Sequence, residues 1–289
     1  MTEFVYSRNC EVFDGTPVPE GMRRVVLQVE YDGSPYCGFQ RQLTAPNTVQ
    51  AELERALSCV ANEPVTVVCA GRTDAGVHAT SQIVHFDTLA SRPSKAWLQG
   101  VNTHLPFSIR VISAKEVGFD FHARFSALSR TYRYVIHVSQ VRSAHLVNGV
   151  TWVKLPQKLS GLDVPAMQEA ASLLLGEHDF TSFRTVHCQA ASPVRTMEVA
   201  DVVQMGEFIV VQVTANAFLH HMVRNIVGVL LRVGRGELKP SRVTELIALR
   251  DRSQAAETAP AAGLYFVNVQ YPERFAMPTH CKGPIFLPL

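Results

Sequence analysis

The sequence contains no CxxC pair, no GxGxxG or Walker-type loop, no HExxH, and no HxE ahead of a PCxxC. Each absence closes a class of chemistry. Without the cysteine pairs there is no zinc knuckle and no dithiol redox motif. Without the glycine-rich loops there is no fingerprint for a dinucleotide or a nucleoside triphosphate, and without the histidine motifs none for a metalloprotease or a zinc deaminase. No metal and no cofactor is therefore expected. The six cysteines (Cys10, Cys37, Cys59, Cys69, Cys188 and Cys281) are scattered, which argues for reduced thiols and a cytoplasmic setting. No apolar run is long enough to span a bilayer, and the first twenty residues, with Glu3, Arg8, Glu11 and Asp14, hold no signal-peptide core. Charge is sparse as well, at 18% of residues against 47% hydrophobic. That leaves ample apolar material for packed interiors, and 289 residues exceed the usual single core.

What charge there is lies unevenly. Between Asp120 and Asp163 there is no acidic residue, while Arg124, Arg130, Arg133, Arg142, Lys154 and Lys158 all fall there. A second acid-free window between Glu207 and Glu237 holds His220, His221, Arg224, Arg232 and Arg235. A solvated basic face accounts for such windows as well as an anionic partner does. If a partner is involved, nucleic acid leads.

Hydrophobic periodicity sets the organisation. Residues 24–31 alternate as a strand, and 48–61 place Val49, Leu53, Leu57 and Val60 on one helical face, with Asn47 and Gln50 at capping positions. Strands near 65–70 and 81–87, a helix near 94–103 and a strand near 108–117 complete a β-α-β-β-α-β order, the ferredoxin-like unit. The order recurs: a strand near 123–138, a helix near 165–175, strands near 193–204 and 207–215, a helix near 217–234 and a strand near 264–271. An extra helix is expected near 240–250. The fold class is thus α+β, with two ferredoxin-like units and a central cleft as the natural ligand site. The boundaries expected are 1–22 for an N-terminal extension, 23–120 and 121–272 for the two units, and 273–289 for a C-terminal tail.

Three segments carry candidate chemistry. CAGRTDAGVHA, residues 69–79, places Arg72 and Asp74 between two apolar runs; turn chemistry is the usual explanation of such residues in an ordinary connection, and a reacting carboxylate is the sharper alternative. In the strand ARFSALSRTYRYVIHV, Arg130, Tyr132 and Tyr134 share a face if no bulge intervenes. Tyrosines on a strand usually pack, but an arginine beside them also makes a surface for stacking on bases and binding phosphate. The helix AFLHHMVRNIVGVLLRV is apolar nearly all round, so Arg224 is expected to be buried and to need a partner. A salt bridge holding the two halves together, or a catalytic carboxylate, would supply one, and Asp74 is the candidate. His220 and His221 should point to different sides of that helix, which disfavours a metal site.

AGRTDAGVHA, FHARFSALSRTYRYVI, GEHDFTSFRTVHCQAASPVRTM, NAFLHHMVRNIVG and TAPAAGLYFVNVQYP, with YDGSPYCGFQRQ ahead of them, occur in the order found in the TruA family of tRNA pseudouridine synthases, which the sequence resembles over roughly residues 22–272. The resemblance implies a pseudo-symmetric pseudouridine synthase fold around a basic cleft, a homodimer, and isomerisation of uridine to pseudouridine at positions 38, 39 and 40 of the tRNA anticodon stem-loop. It places the nucleophile on Asp74, the base-flipping arginine on Arg72, the tyrosine that stacks on the target base on Tyr132, the arginine that pairs with the aspartate on Arg224, and an apolar substrate contact on Leu264. Arg130 is expected to join the RNA-facing set. Phe266 departs from the aliphatic residue more usual after Tyr265. The N- and C-terminal appendages lie outside the pattern. Among rivals, an N-glycosidase would usually want a second carboxylate, and none lies near Asp74 in sequence. A simple RNA-binding module leaves Asp74 and Arg224 without a purpose and lacks an RNP1 motif.

Overall fold

The computed structural model describes residues 19–42, 45, 47–155, 161–186, 188–278 and 283–287. Most of the expected N-terminal extension, Lys158 in the first basic window, Cys10, Cys281 and part of the C-terminal tail lie outside them. The chain divides into two compact units. The first runs to Leu128 and takes up the chain again from Asn268; the second spans Ser129–Val267 and takes up 283–287.

In the first unit, β1 (Arg23–Tyr31) is buried on both faces for most of its length and is central, pairing antiparallel with β3 (His78–Thr88) on one side and β4 (Ile109–Val117) on the other. The expected strand near 65–70 shrinks to β2, only Val68–Cys69, set against His85 and Val84 of β3. Helix α1 (Val49–Ala61) covers this sheet with Val49, Leu53, Ala56 and Leu57. Its cap differs from the expectation. Thr48 is the N-cap, accepting from the Ala51 amide, while Asn47 donates to the Pro35 carbonyl and Gln50 reaches Glu54. Glu54 itself is buried, where its carboxylate accepts from the Val67 amide and Gln50 and pairs with Arg41. A buried carboxylate with that many donors fixes strand 65–69 to the helix. The expected helix near 94–103 forms as a π-helical turn, Ala96–Gly100, running into α2 (Val101–His104). Trp97 packs edge-on against Phe86.

Two histidines in this unit are held neutral. His85 is buried and its Nδ1 accepts from the Ala123 amide, while the Nδ1 of His122, 4.7 Å away ring to ring, accepts from Arg124 and Phe125. Burial, and then the Arg24 guanidinium, push His85 down to about 2 and His122 to about 4. An unfolded histidine takes up its proton near pH 6.5. Below that pH the unfolded chain binds protons that the folded one refuses, so stability falls as pH falls, by both groups down to about pH 4 and by His85 alone below it. We expect the melting temperature to drop between pH 6.5 and pH 4. His85→Asn, which keeps an acceptor for Ala123, should make that pH slope shallower. A slope unchanged in the variant would dissociate His85 from acid sensitivity.

In the second unit the strand expected from 123 begins only at Ser129, and residues 123–125 form a turn. β5 (Ser129–Val138) pairs antiparallel with β9 (Phe208–Ala215) in unbroken register, and β9 with β8 (Val194–Met205). A two-residue turn joins β8 to β9 with Gly206 at φ 61, the sign a II′ hairpin needs at its first position. Two short strands add to the sheet: β6 (Thr151–Val153), parallel to β5, and β7 (Gly176–Asp179), antiparallel to β8. β10 (Leu264–Gln270) begins beside β5, where the Val135 amide donates to the Gly263 carbonyl. Helix α3 (Val164–Ser172) starts on an Asp163 cap, and α4 (Met222–Gly234) is buried along its length apart from Arg224 and Arg232. The extra helix is α5 (Arg242–Leu249). In strand order, the first unit reads β4-β1-β3-β2 and the second β10-β5-β9-β8-β7. Among the described residues no helix is long and apolar enough to cross a membrane.

Candidate active site

Arg72 and Asp74 sit in the loop that joins β2 to β3; its backbone is bonded to the rest of the fold ahead of Asp74, at Gly71 and Thr73, and closes after it in a turn from Asp74 to Val77. The Gly71 carbonyl accepts from Gln82 Nε2 at 2.7 Å, the Thr73 carbonyl from the Phe39 amide at 3.0 Å, and the Asp74 carbonyl from the Val77 amide at 3.1 Å. The Thr73 hydroxyl meets Tyr31 Oη at 2.7 Å. Segment 32–39 lies hard against the loop. A Cβ on Gly33 would stand 1.9 Å from the Val77 carbonyl oxygen, and one on Gly38 would stand 2.9 Å from that of Thr73. Only glycine permits that approach, which gives YDGSPYCGFQ its purpose. Next to the clash point, Asp32 Oδ1 lies 3.1 Å from His78 Nδ1, and this contact holds the Asp32 carboxyl down to about 2. The Gly33 amide also points at that Nδ1. One nitrogen cannot accept from Gly33 and donate to Asp32 in the same tautomer, so the two bonds alternate. Asp74 is half-buried and Arg72 exposed.

The other expected residues belong to the second unit. The unbroken β5–β9 register sets Arg130, Tyr132 and Tyr134 on one face, as the alternation requires. Arg130 donates to the Asn216 carbonyl. Tyr132 is 8% exposed, its ring fixed by near-perpendicular contacts with Phe218 and Phe266 at 4.9 and 5.0 Å. It offers a strip of ring and not an open platform. Phe266, the departure from the more usual aliphatic residue, is thus one of the two rings that orient Tyr132. Leu264 is buried at the head of β10.

Arg224 is half-buried, less enclosed than its helix suggests, and segment 256–262 meets it at Ala259. Its Nε donates to the Ala259 carbonyl at 2.7 Å and its own carbonyl accepts from the Ala259 amide. The next carbonyl, Pro260, accepts from Tyr134 Oη, so Arg224 and Tyr134 are anchored on consecutive peptide groups. Burial pushes the Tyr134 phenol well above the ordinary tyrosine range, which keeps it a donor. One turn further along α4, a Cβ at Gly228 would meet the Glu257 carbonyl at 2.0 Å, which is how the segment comes so close. Asn225, Arg252 and Thr258 brace the same segment, Asn225 Oδ1 accepting from both of the others. None of Tyr134, Asn225 or Gly228 was singled out by sequence pattern for this role, since a buried tyrosine or asparagine has no periodic signature.

His220 and His221 depart from expectation. They precede α4 in a turn, His221 at φ 62, and their rings stand 4.1 Å apart instead of on opposite sides of a helix. The basic windows are also partly engaged within the fold. Arg232 pairs with Glu237, and Arg133 with Gln212 and the Gly283 carbonyl.

A family model described as tRNA pseudouridine synthase matches residues 27–126 and 170–272. Proteins named tRNA pseudouridine synthase A match over most of their length: that of Shewanella woodyi is 54% identical over 264 residues, covering 91% of this chain and 99% of the relative. The one from Shewanella frigidimarina is 52% identical with the same coverage, and that of Alcanivorax borkumensis 51% identical over 267 residues, 92% of this chain and 98% of its own. The chain belongs to the tRNA pseudouridine synthase family. The matched stretches of this tRNA pseudouridine synthase family member carry Arg72, Asp74, Arg224 and Leu264, while Arg130 and Tyr132 fall between the two.

Proposed function

We propose that the protein isomerises uridine to pseudouridine in the tRNA anticodon stem-loop, at positions 38, 39 and 40, with Asp74 as nucleophile and without a cofactor. One observation carries the reading: a half-buried carboxylate on a loop whose backbone is bonded to the fold at Thr73, immediately before it, and at Gly71. A turn aspartate does not need that support, whereas a reacting group that must meet one atom does. In the reaction the N1–C1′ bond breaks, the uracil turns, a C5–C1′ bond forms, and the proton on C5 is released while N1 gains one, so substrate and product are isomers. Attack at C1′, attack at C6 and a glycal route all begin from the Asp74 carboxylate.

The other residues take the roles that the family resemblance assigns. Arg224 pairs with Asp74 and aims it. Arg72, exposed two residues earlier, fills the place of the extruded base, since a nucleotide inside a stem is out of reach until flipped. Tyr132 stacks on the flipped uracil along the strip that Phe218 and Phe266 leave uncovered, Leu264 supplies an apolar contact, and Arg130 meets phosphate. A ferredoxin-like plan in both units goes with this reading. It is supported by the strand order β4-β1-β3-β2 recurring as β10-β5-β9-β8. So do a homodimer, which light scattering against the 31.9 kDa chain mass decides, and a cytoplasmic location.

The test is tritium release from tRNA carrying tritium at uridine C5, because that atom must leave as the new bond forms. Release should persist after chelator treatment and dialysis. A divalent-ion requirement that survives on prefolded tRNA would overturn the cofactor-free mechanism.

A further inference from the structure

We infer that Tyr31 and Gln82 are positioning residues for Asp74, acting through the hydroxyl of Thr73 and the carbonyl of Gly71. This rests on the reading of Asp74 as nucleophile and deepens it. Tyr31 lies 43 residues before Asp74 in sequence and its phenol ends beneath the loop, 3% exposed, at 2.7 Å from Thr73 Oγ1. Gln82 is fully buried and donates to Gly71 at 2.7 Å. One bond holds the Thr73 side chain, one residue ahead of Asp74, and the other the Gly71 backbone, three ahead, while the Phe39 amide holds the Thr73 carbonyl in the peptide that leads into Asp74.

The strand geometry looks arranged for this purpose. Along β1 and β3 the register runs two-for-two until Val29 faces Gln82, and then slips, so that Tyr31 faces Ala79. An extra residue in β3 at that point is a bulge, which turns local side chains away from the regular alternation. It falls between Gln82 and the loop. Burial pushes the Tyr31 phenol well above its ordinary range, so the hydroxyl stays protonated at any working pH and the bond to Thr73 is permanent. Tyr31 also tilts against Phe39 at 6.1 Å between ring centroids, so the residue that bonds Thr73 through its backbone and the one that bonds it through its side chain brace one another.

A purely structural role and a positioning role differ in what they do to two variants. Tyr31→Phe leaves the buried Thr73 hydroxyl unpaired, and both roles expect a lower melting temperature. Tyr31→Phe combined with Thr73→Val removes both partners of that bond, and stability should return towards wild type because the Thr73 hydroxyl is no longer left unpaired. Turnover separates the roles. If the pair only stabilises the fold, kcat recovers with stability. If it aims Asp74, kcat stays low in the double variant, on the order of 10- to 100-fold down, since a misplacement of about 1 Å costs that much. KM and tRNA affinity should remain near wild type, because phosphate contacts are made elsewhere. Thr73→Ser, which keeps the hydroxyl, should restore most of the turnover lost in Thr73→Val, and Gln82→Leu should lower kcat without raising KM. Asp74→Asn is run alongside. Wild-type kcat in the double variant, with Asp74→Asn inactive, overturns the positioning inference alone. An active Asp74→Asn overturns the nucleophile with it. If Tyr31→Phe fails to fold, the comparison of Thr73→Val with Thr73→Ser carries the same decision.

Discussion

Asp74→Asn should leave tRNA binding within a few-fold of wild type and pseudouridine formation undetectable. Asparagine matches aspartate in size and keeps one carbonyl oxygen for local hydrogen bonds, so a turn residue replaced this way loses little beyond modest stability. The loop itself gives no reason to collapse, because its fixed points are the carbonyls of Gly71, Thr73 and Asp74 and the hydroxyl of Thr73, all of which the variant retains. What disappears is the negative charge and, with it, any adduct on the carboxylate or any proton it removes. Affinity should survive because phosphate contacts supply most of it. The measurement is a pair on one preparation, filter binding and product yield, with a melt to confirm folding. Appreciable product from the variant would reduce the segment to a turn.

The second large effect is expected at Arg224, where Arg224→Lys should fail almost as badly as Arg224→Ala, by roughly 100- to 1,000-fold in kcat, the range found when a preorganised charged donor is removed from an active site. The reason lies in the bond from Nε to the Ala259 carbonyl. A guanidinium is planar, so fixing one nitrogen fixes the direction of the others. Lysine keeps the charge but has no second nitrogen to be held by Ala259. Single-turnover kinetics with saturating tRNA would read this without interference from binding. A lysine variant close to wild type would mean that charge alone is needed at this position, and that the anchoring on Ala259 serves only packing.

The sequence was most legible where one segment's pattern decides its own structure. The alternating β1, the amphipathic α1, the β8–β9 hairpin and the buried α4 all announce themselves by period. β6 and β7 do not, being three and four residues long and stable only through the strands they join. The start of α4 was missed because His221 takes a left-handed backbone conformation that residue type does not foretell. The Thr48 cap was masked by Asn47 beside it, an equally good capping residue whose amide turned out to serve the Pro35 carbonyl. At the candidate site, Asp74, Arg72, Tyr132 and Arg224 stood out within their segments and the resemblance gave them roles, while Leu264 came from the resemblance alone. Their supports did not stand out, because a bond between Tyr31 and Thr73, 42 residues apart, or the Glu54 carboxylate buried under a strand, exists only once the chain is folded. Glycines 33 and 38 drew no reading of their own from the sequence, whereas the fold uses them so that one loop's backbone can touch another's.

The most direct test of where the chemistry falls is to incubate the purified protein with unmodified tRNA and map pseudouridine by carbodiimide-dependent primer-extension stops. The account expects stops at whichever of positions 38, 39 and 40 carry uridine, and at no other uridine of the molecule. An even spread of stops over the tRNA, or stops confined to another arm with positions 38 to 40 untouched, would contradict it.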